Sequence, residues 1–337
     1  MKIPYRLLLT TLAITGMLLC NSCSKRAEYL RITGLAQGST YQITYAQTDH
    51  NHRQISTGAI EVQELVEAGF ERINNSVSGY HKGSVLSRIN RNETTQTDSI
   101  FRDIFRISYQ IWQETQGRFD PSGAPLYDLW GFGFQQREQI SDRHIDSLLS
   151  FIGMDLFHLE GEQLIKAHPN ARLNFNAIAQ GYTCDYLARI LDSLQIRDYL
   201  IEVGGEVLAK GLNPQGKAWR IGIDRPEDGN NQPGAQLQEI VNIRNQGLVT
   251  SGNYRKYYVE DGKKYAHTID PLTGYPVQHN LLSASILAPN ATLADAYATY
   301  CMVIGLEAAI EFLQQREDLQ GYLIYADGEQ MKTIVAD

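Results

Sequence analysis

The chain is poor in cysteine: four in 337 residues, two of them, Cys20 and Cys23, crowded into one segment near the start. So few thiols exclude a disulfide-stapled scaffold and a cysteine-rich zinc module. A basic block is also missing. Thirty Lys and Arg stand against 38 Asp and Glu, a net charge of −8, which argues against a nucleic-acid partner. No apolar run reaches the roughly 18–20 residues of a bilayer-spanning helix. Familiar catalytic signatures are absent too. There is no Gly-x4-Gly-Lys-Ser/Thr, no His-Glu-x-x-His and no Gly-x-Ser-x-Gly, and Gly131-Phe132-Gly133 lacks the third glycine of a dinucleotide fingerprint. What remains is an ordinary globular composition, 43% hydrophobic and 20% charged.

The first segment reads as a targeting signal. Lys2 and Arg6 precede an apolar run from Leu7 to Leu19, and small residues then lead to Cys23. This looks like a bacterial lipoprotein signal over residues 1–22, with Cys23 lipidated and residues 23–33 as a tether. A plain secretory signal with two incidental thiols is the alternative. The expected location is the periplasmic side of the cell envelope, anchored to a membrane by lipid. Cys184 and Cys301 sit in apolar helical patterns and read as buried free thiols.

Helical periodicity marks Ala59–Ile73, Ile100–Trp112 with Asp98 as cap, Ile145–Ile152, Ile178–Leu194, and one or two helices within Ala291–Gln315. Strand patterns mark Tyr41–Tyr45, Tyr199–Val203, Trp219–Asp224 and Leu282–Leu287, with a hairpin over Tyr257–Tyr265 around Asp261-Gly262. Pro226–Gln238 reads as a loop. Helices and antiparallel-looking strands mix without strict alternation, so the fold class is α+β.

Five polar, glycine-marked segments are candidates for chemistry. Gly117–Gly133 carries Ser122, Gly123 and Ala124, small enough for close backbone approach to a ligand; a long turn with an aromatic plug is equally consistent. Asn174–Asp185 opens a helix whose amides could receive a phosphate, or Asn176 is an ordinary N-cap. Glu202–Glu206 places two carboxylates around a glycine pair, which could bind hydroxyls or merely form a bulge. Thr250–Arg255 is followed by His267–Pro276, where His267 leads into a turn rather than an apolar face. Asp295 and Thr299 lie at i and i+4 of an apolar helix, so both oxygens share one face. Two hard oxygen ligands suit Mg2+; hydrogen bonds within the protein are the alternative.

These segments, together with Gly38–Tyr41 and Ser78–Asn90, resemble in order and spacing the ApbE family of FAD:protein FMN transferases, over about residues 34–330. The resemblance implies an ApbE-like domain from residue 34 to 337, with the FAD and Mg2+ site in a cleft between two packed lobes. It implies Mg2+-dependent transfer of the FMN moiety of FAD to a Thr or Ser hydroxyl of a partner flavoprotein, releasing AMP. A subunit of a membrane redox pump is the family's expected acceptor. Position by position, Asp295, Thr299 and the Ala177 carbonyl would hold the metal. Gln37, Tyr80, Ser122, Gly123, Ala124, Asn174, Gln180 and Ile269 would contact FAD. His267 and Asp295 would be the catalytic groups. Gln37 stands where the family commonly has methionine, and Asn174 where aspartate is frequent. An FAD pyrophosphatase and a non-catalytic flavin-binding lipoprotein are the other readings.

Overall fold

The computed structural model describes residues 28–47, 57–133, 140–227, 234, 236–253, 257–260 and 263–337. The signal segment, Cys23 and the Asp261-Gly262 turn lie outside them. In chain order the strands are β1 (Tyr29–Ala36), β2 (Ser39–Ala46), β3 (Phe157–Glu160), β4 (Gln163–Lys166), β5 (Tyr199–Val203), β6 (Glu206–Lys210), β7 (Trp219–Asp224), β8 (Leu237–Ile243), β9 (Gln246–Gly252), β10 (Tyr257–Glu260), β11 (Lys263–Ala266), β12 (Leu281–Ala288), β13 (Gln320–Asp327) and β14 (Gln330–Ala336). The helices are α1 (Ala59–Val77), α2 (Val85–Asn90), α3 (Ser99–Glu114), α4 (Ala124–Leu129), α5 (Asp142–Leu149), α6 (Ala179–Ser193), α7 (Ala291–Ile304) and α8 (Leu306–Gln314).

Eight strands make one antiparallel sheet in the order β1-β2-β5-β6-β9-β12-β13-β14. With the helices it gives the α+β class that the sequence pattern implies. The central strands are apolar on both faces. Along β6, Leu208 packs with α6, whereas Val207 and Ala209 face the other way, under the β7–β8 ribbon with Trp219, Ile223 and Ile243. Period-two alternation normally separates core from solvent; here it separates two cores. That is why β12, Leu281–Ala288, is buried at nearly every position.

On the helix side, α3, α7 and α8 bury Phe101, Ile104, Tyr297, Cys301 and Leu313 in one cluster. Each such side chain, fully removed from water, contributes about 1.5–3 kcal/mol. Asp98 caps α3 as its spacing implied, accepting from Phe101 N at 2.8 Å. Gly305, with φ +81°, separates α7 from α8. Cys184 and Cys301 are both free and buried. Burial pushes the Cys301 thiol up to about 12 and the Cys184 thiol well above its usual value.

Three expectations change. The tether does not extend to residue 33, because Tyr29–Ala36 is the edge strand β1, paired to β2 through Ile32 and Ile43. Only Ile32 of that strand is buried, so no apolar alternation announced it. The loop expected over Pro226–Gln238 gives way to β8 at Leu237; most of the rest of it lies outside the described residues. The long turn that is one reading of Gly117–Gly133 contains the short helix α4, with Pro125 in its first turn, where a proline's missing N–H costs nothing. Among the described residues no helix is long and apolar enough to cross a membrane.

Candidate functional site

The site is organised by a helix crossing. Gly181, in the first turn of α6, abuts α7 so closely that a Cβ there would stand 2.2 Å from the Ala291 carbonyl oxygen and 2.7 Å from the Asp295 Cβ. That contact lets the Gly181 N–H donate to Asp295 Oδ2 at 3.0 Å. As the third residue of α6 it is one of the first-turn amides that lack an intrahelical acceptor. Asp295 takes it, and the Ala177 carbonyl just before the helix accepts no hydrogen bond among the described residues. Asp295 Oδ1 likewise accepts none among them.

Asp295 is 5% exposed. Burial, reinforced by the nearby Asp185 charge, pushes its carboxyl well above the usual carboxylate range, although the Gly181 bond pulls the other way. Burial also raises Asp185 and Glu202. Carboxyls of this kind favour a bound cation. One turn beyond Asp295, Thr299 is half-buried, and its Oγ1 lies 3.3 Å from Ser251 Oγ on β9. The hydroxyl thus faces the neighbouring strand rather than its own helix. Among the described residues no group of three or more His, Cys, Asp or Glu could hold a metal. One carboxylate, one hydroxyl and one carbonyl would hold Mg2+ only as part of a shell completed by phosphate oxygens and water, which is how Mg2+ is commonly held. The free Ala177 carbonyl and Asp295 Oδ1 fit that donor set.

Two hairpin turns converge on the start of α6. Between β1 and β2, Gln37 (φ +53°) and Gly38 (φ +74°) form a two-residue turn with both angles positive, the twist that suits a hairpin. Gln37 is exposed, and its Nε2 donates to Thr183 Oγ1 at 2.7 Å, anchoring the turn to α6. Between β5 and β6, Gly204 sits under the Gln180 side chain, where a Cβ would be 2.0 Å from Gln180 Nε2. Asn176 is exposed and does not cap α6, which starts at Ala179 without a side-chain cap. The Ala179 and Gly181 amides already have partners, so fewer donors remain for a phosphate than the sequence suggested.

A second set of loops adjoins through backbone bonds. Asn174 N donates to Pro121 O at 2.7 Å, and Asn174 Oδ1 receives Asn176 N at 2.8 Å. Ser122 is fully buried; its hydroxyl donates to Asp120 and receives the Gly153 amide at 2.6 Å. Its side chain therefore holds the loop, and the Ser122 and Gly123 amides turn inward as well, to the Asp120 carboxylate and carbonyl. Asp120 also takes the Ser122 amide and the Trp112 indole N–H, and burial holds its carboxyl up at about 6. Ile269 is 1% exposed and packs with Leu126, Leu129 and Trp130, so only its backbone can meet a ligand. Thr268 Oγ1 donates to Asn253 Oδ1 at 2.6 Å, joining the 250s segment to the 267–276 segment. His267 is half-buried, with its ring 6.3 Å from that of Phe132. Tyr80 is 69% exposed on the loop between α1 and α2. That region is tied to the Asn174 loop by paired bonds between Asn90 and Leu173.

A separate cleft of about 560 Å³ lies between α3, the later turns of α6 and the start of α7. It holds none of the residues selected from sequence as ligands. Its charges are paired internally, with Lys210 Nζ holding both Asp192 oxygens at 2.7 Å. Sequence reading passed over Gly181 and Asp185 as individuals; the run of small residues from Ala177 to Gly181 was the available sign of a close helix contact.

The chain matches the ApbE family model over residues 37–323. It is 32% identical to the FAD:protein FMN transferase of Haemophilus influenzae over 328 residues, covering 93% of this chain and 91% of that one. It is 36% identical to the protein of the same name from Escherichia coli K12 over 284 residues, covering 81% and 79%. Its fold is similar to the flavin transferase ApbE from Vibrio cholerae, with a TM-score of 0.80 and 29% identity over 92% of this chain and 98% of that one. The chain belongs to the ApbE family.

Proposed function

We propose that this chain transfers the FMN moiety of FAD to a Thr or Ser hydroxyl of a partner flavoprotein and releases AMP. Family membership, over nearly the whole length of relatives named FAD:protein FMN transferase, supports the reaction. The observation that carries the site is the Gly181–Asp295 contact, beside which the Ala177 carbonyl and Asp295 Oδ1 accept no hydrogen bond among the described residues.

In this reading the acceptor hydroxyl oxygen bonds to the phosphorus of the FMN half. The pyrophosphate P–O bond breaks, and AMP leaves with the electron pair. Asp295, Thr299 and the Ala177 carbonyl would hold Mg2+, which when bound neutralises charge on the pyrophosphate oxygens. The chain's own part is positioning. The Ser122–Ala124 and Asn174 backbones and the Gln37 and Gln180 side chains line the path of FAD. Tyr80 offers an exposed ring to the flavin. The hydroxyl proton goes to His267 or Asp295. His267→Ala separates these two, since loss of transfer with metal binding retained assigns the proton to His267.

The test is mass spectrometry of candidate acceptor subunits, including those of membrane redox pumps, after incubation with FAD and Mg2+. One hydroxyl residue should gain the mass of FMN. Free FMN and AMP alone, with every acceptor, would establish the pyrophosphatase instead. FAD bound but never cleaved would leave a flavin-binding lipoprotein. The same reading puts a lipid on Cys23 and the protein on the periplasmic side of a membrane. Cys23→Ala should then move it from the membrane fraction to the soluble fraction, as seen by immunoblot.

A further inference from the structure

Helices α6 and α7 are tied by two sets of bonds that mirror each other. From α6, Gly181 donates to Asp295 on α7 at 3.0 Å. One turn later on α6, Asp185 receives the amides of Ala291 at 3.0 Å and Thr292 at 2.8 Å, and the Thr292 hydroxyl. Ala291 and Asp295 are themselves one turn apart. The two sets thus close a ring spanning a turn of each helix. Asp185 is not what starts α7, because Asn290 already caps it, accepting from Leu293 N at 2.9 Å. Its three bonds cross between helices instead.

We infer that Asp185 is a positioning residue for Asp295. At the crossing the α6 surface is a glycine, so no side chain of residue 181 interdigitates with α7 to fix its rotation. The packing of Tyr297 and Cys301 holds the far side of α7, and across the crossing itself the Gly181 amide is one fixed point. The Asp185 carboxylate supplies the second fixed point and sets which way the Asp295 carboxyl faces. Residues that orient a metal ligand from behind are commonly worth 10- to 100-fold in affinity. The kinetic arm of this inference rests on the transfer reaction proposed above; the exchange arm does not.

The experiment compares wild type, Asp185→Asn and the milder Thr292→Val in two ways. Hydrogen exchange at the Gly181 amide, read by NMR without metal or FAD, should quicken by about tenfold in Asp185→Asn and less in Thr292→Val, with the Ile201 amide in β5 unchanged. Unchanged exchange at Gly181, or equal acceleration at Ile201, overturns the inference whatever the protein catalyses. In the second arm, the Mn2+ concentration for half-maximal binding with FAD present, read by electron paramagnetic resonance, should rise about tenfold. The KM for FAD should stay within about twofold, and excess metal should restore kcat. A fall in kcat that metal does not restore, with metal affinity unchanged, makes Asp185 merely structural and overturns the inference. Wild type that binds metal but transfers no FMN defeats the proposed reaction and leaves both physical readouts of Asp185 standing.

Discussion

At the crossing of α6 and α7, the Gly181 amide meets the Asp295 carboxyl with no room for a methyl group between the helices. At the rim, Gln37 reaches from an exposed hairpin turn to Thr183, two residues on along α6, and Tyr80 is largely exposed on the loop between α1 and α2. The crossing is made by backbone atoms and a buried carboxyl, packed with no room for added volume. The rim is made of side-chain tips: Gln37 also ties its turn to α6, whereas Tyr80 is largely exposed. Residues of one site therefore differ in what their loss would do. At the crossing, chemistry and architecture share atoms; at the Tyr80 ring they do not.

The sharpest way to break this contrast is Asp295→Asn. It removes the charge but keeps the shape, and FMN transfer should fall by at least about a hundredfold. The desolvated carboxyl is costly to bury, so the thermal midpoint should hold or rise. A large drop in midpoint would mean that the carboxylate is architectural first. Gly181→Ala is next. The added Cβ meets backbone and Asp295, and overpacking of this kind costs about 1–3 kcal/mol, measured as a lower urea midpoint at unchanged slope.

Between these extremes lies Asp120, buried under the Ser122 loop. Its carboxyl is held up at about 6 against an ordinary 3.8. From about pH 4 to 6 the folded protein keeps a proton that the unfolded chain has released. This group therefore makes stability fall as pH rises through that window, and its contribution is level above it. Wild type should lose about 1–3 kcal/mol more than Asp120→Asn between pH 4 and 7, read by urea unfolding at both pH values. Parallel profiles would show that the carboxyl ionises normally. The smallest effect belongs to the rim. Tyr80→Ala should weaken FAD binding by about 0.5–1.5 kcal/mol by titration calorimetry and leave the thermal midpoint alone. A shift of several degrees would put Tyr80 on the architectural side.

Long amphipathic helices were legible because tertiary packing agrees with their period: α1, α3, α6 and α7 fall within a few residues of the apolar pattern. Strands with an obvious face, such as β2 and β5, were legible too. β1 was not, because an edge strand with one buried residue has no apolar face to read. β9 hides behind Gly247 and Gly252, and β13 and β14 carry buried and half-buried positions in no clean alternation. In the candidate site, spacing put Asp295 and Thr299 on one helix face, with hydrogen bonds within the protein as an equal reading, and the family resemblance singled them out as ligands. The contact that gives Asp295 its character is 114 residues away at Gly181, and no local pattern encodes it. Ser122 and Ile269 were picked as FAD contacts by the resemblance, and their side chains face the interior. A sequence shows that a residue matters before it shows which of its atoms does.

The two buried thiols give the crossing a reporter of its own. Cys184 lies three residues after Gly181 on α6, and Cys301 lies two after Thr299 on α7. Both are kept protonated by burial, and a thiol that is neither ionised nor reachable does not alkylate. Labelling at these two positions, resolved by peptide mass, therefore counts openings of the two cores that flank the crossing: Cys184 belongs to the cluster of β2, β5 and α6, Cys301 to that of α3, α7 and α8. A ligand that clamps α6 to α7 should slow labelling at both cysteines together, whereas an opening confined to one core shows at one cysteine alone.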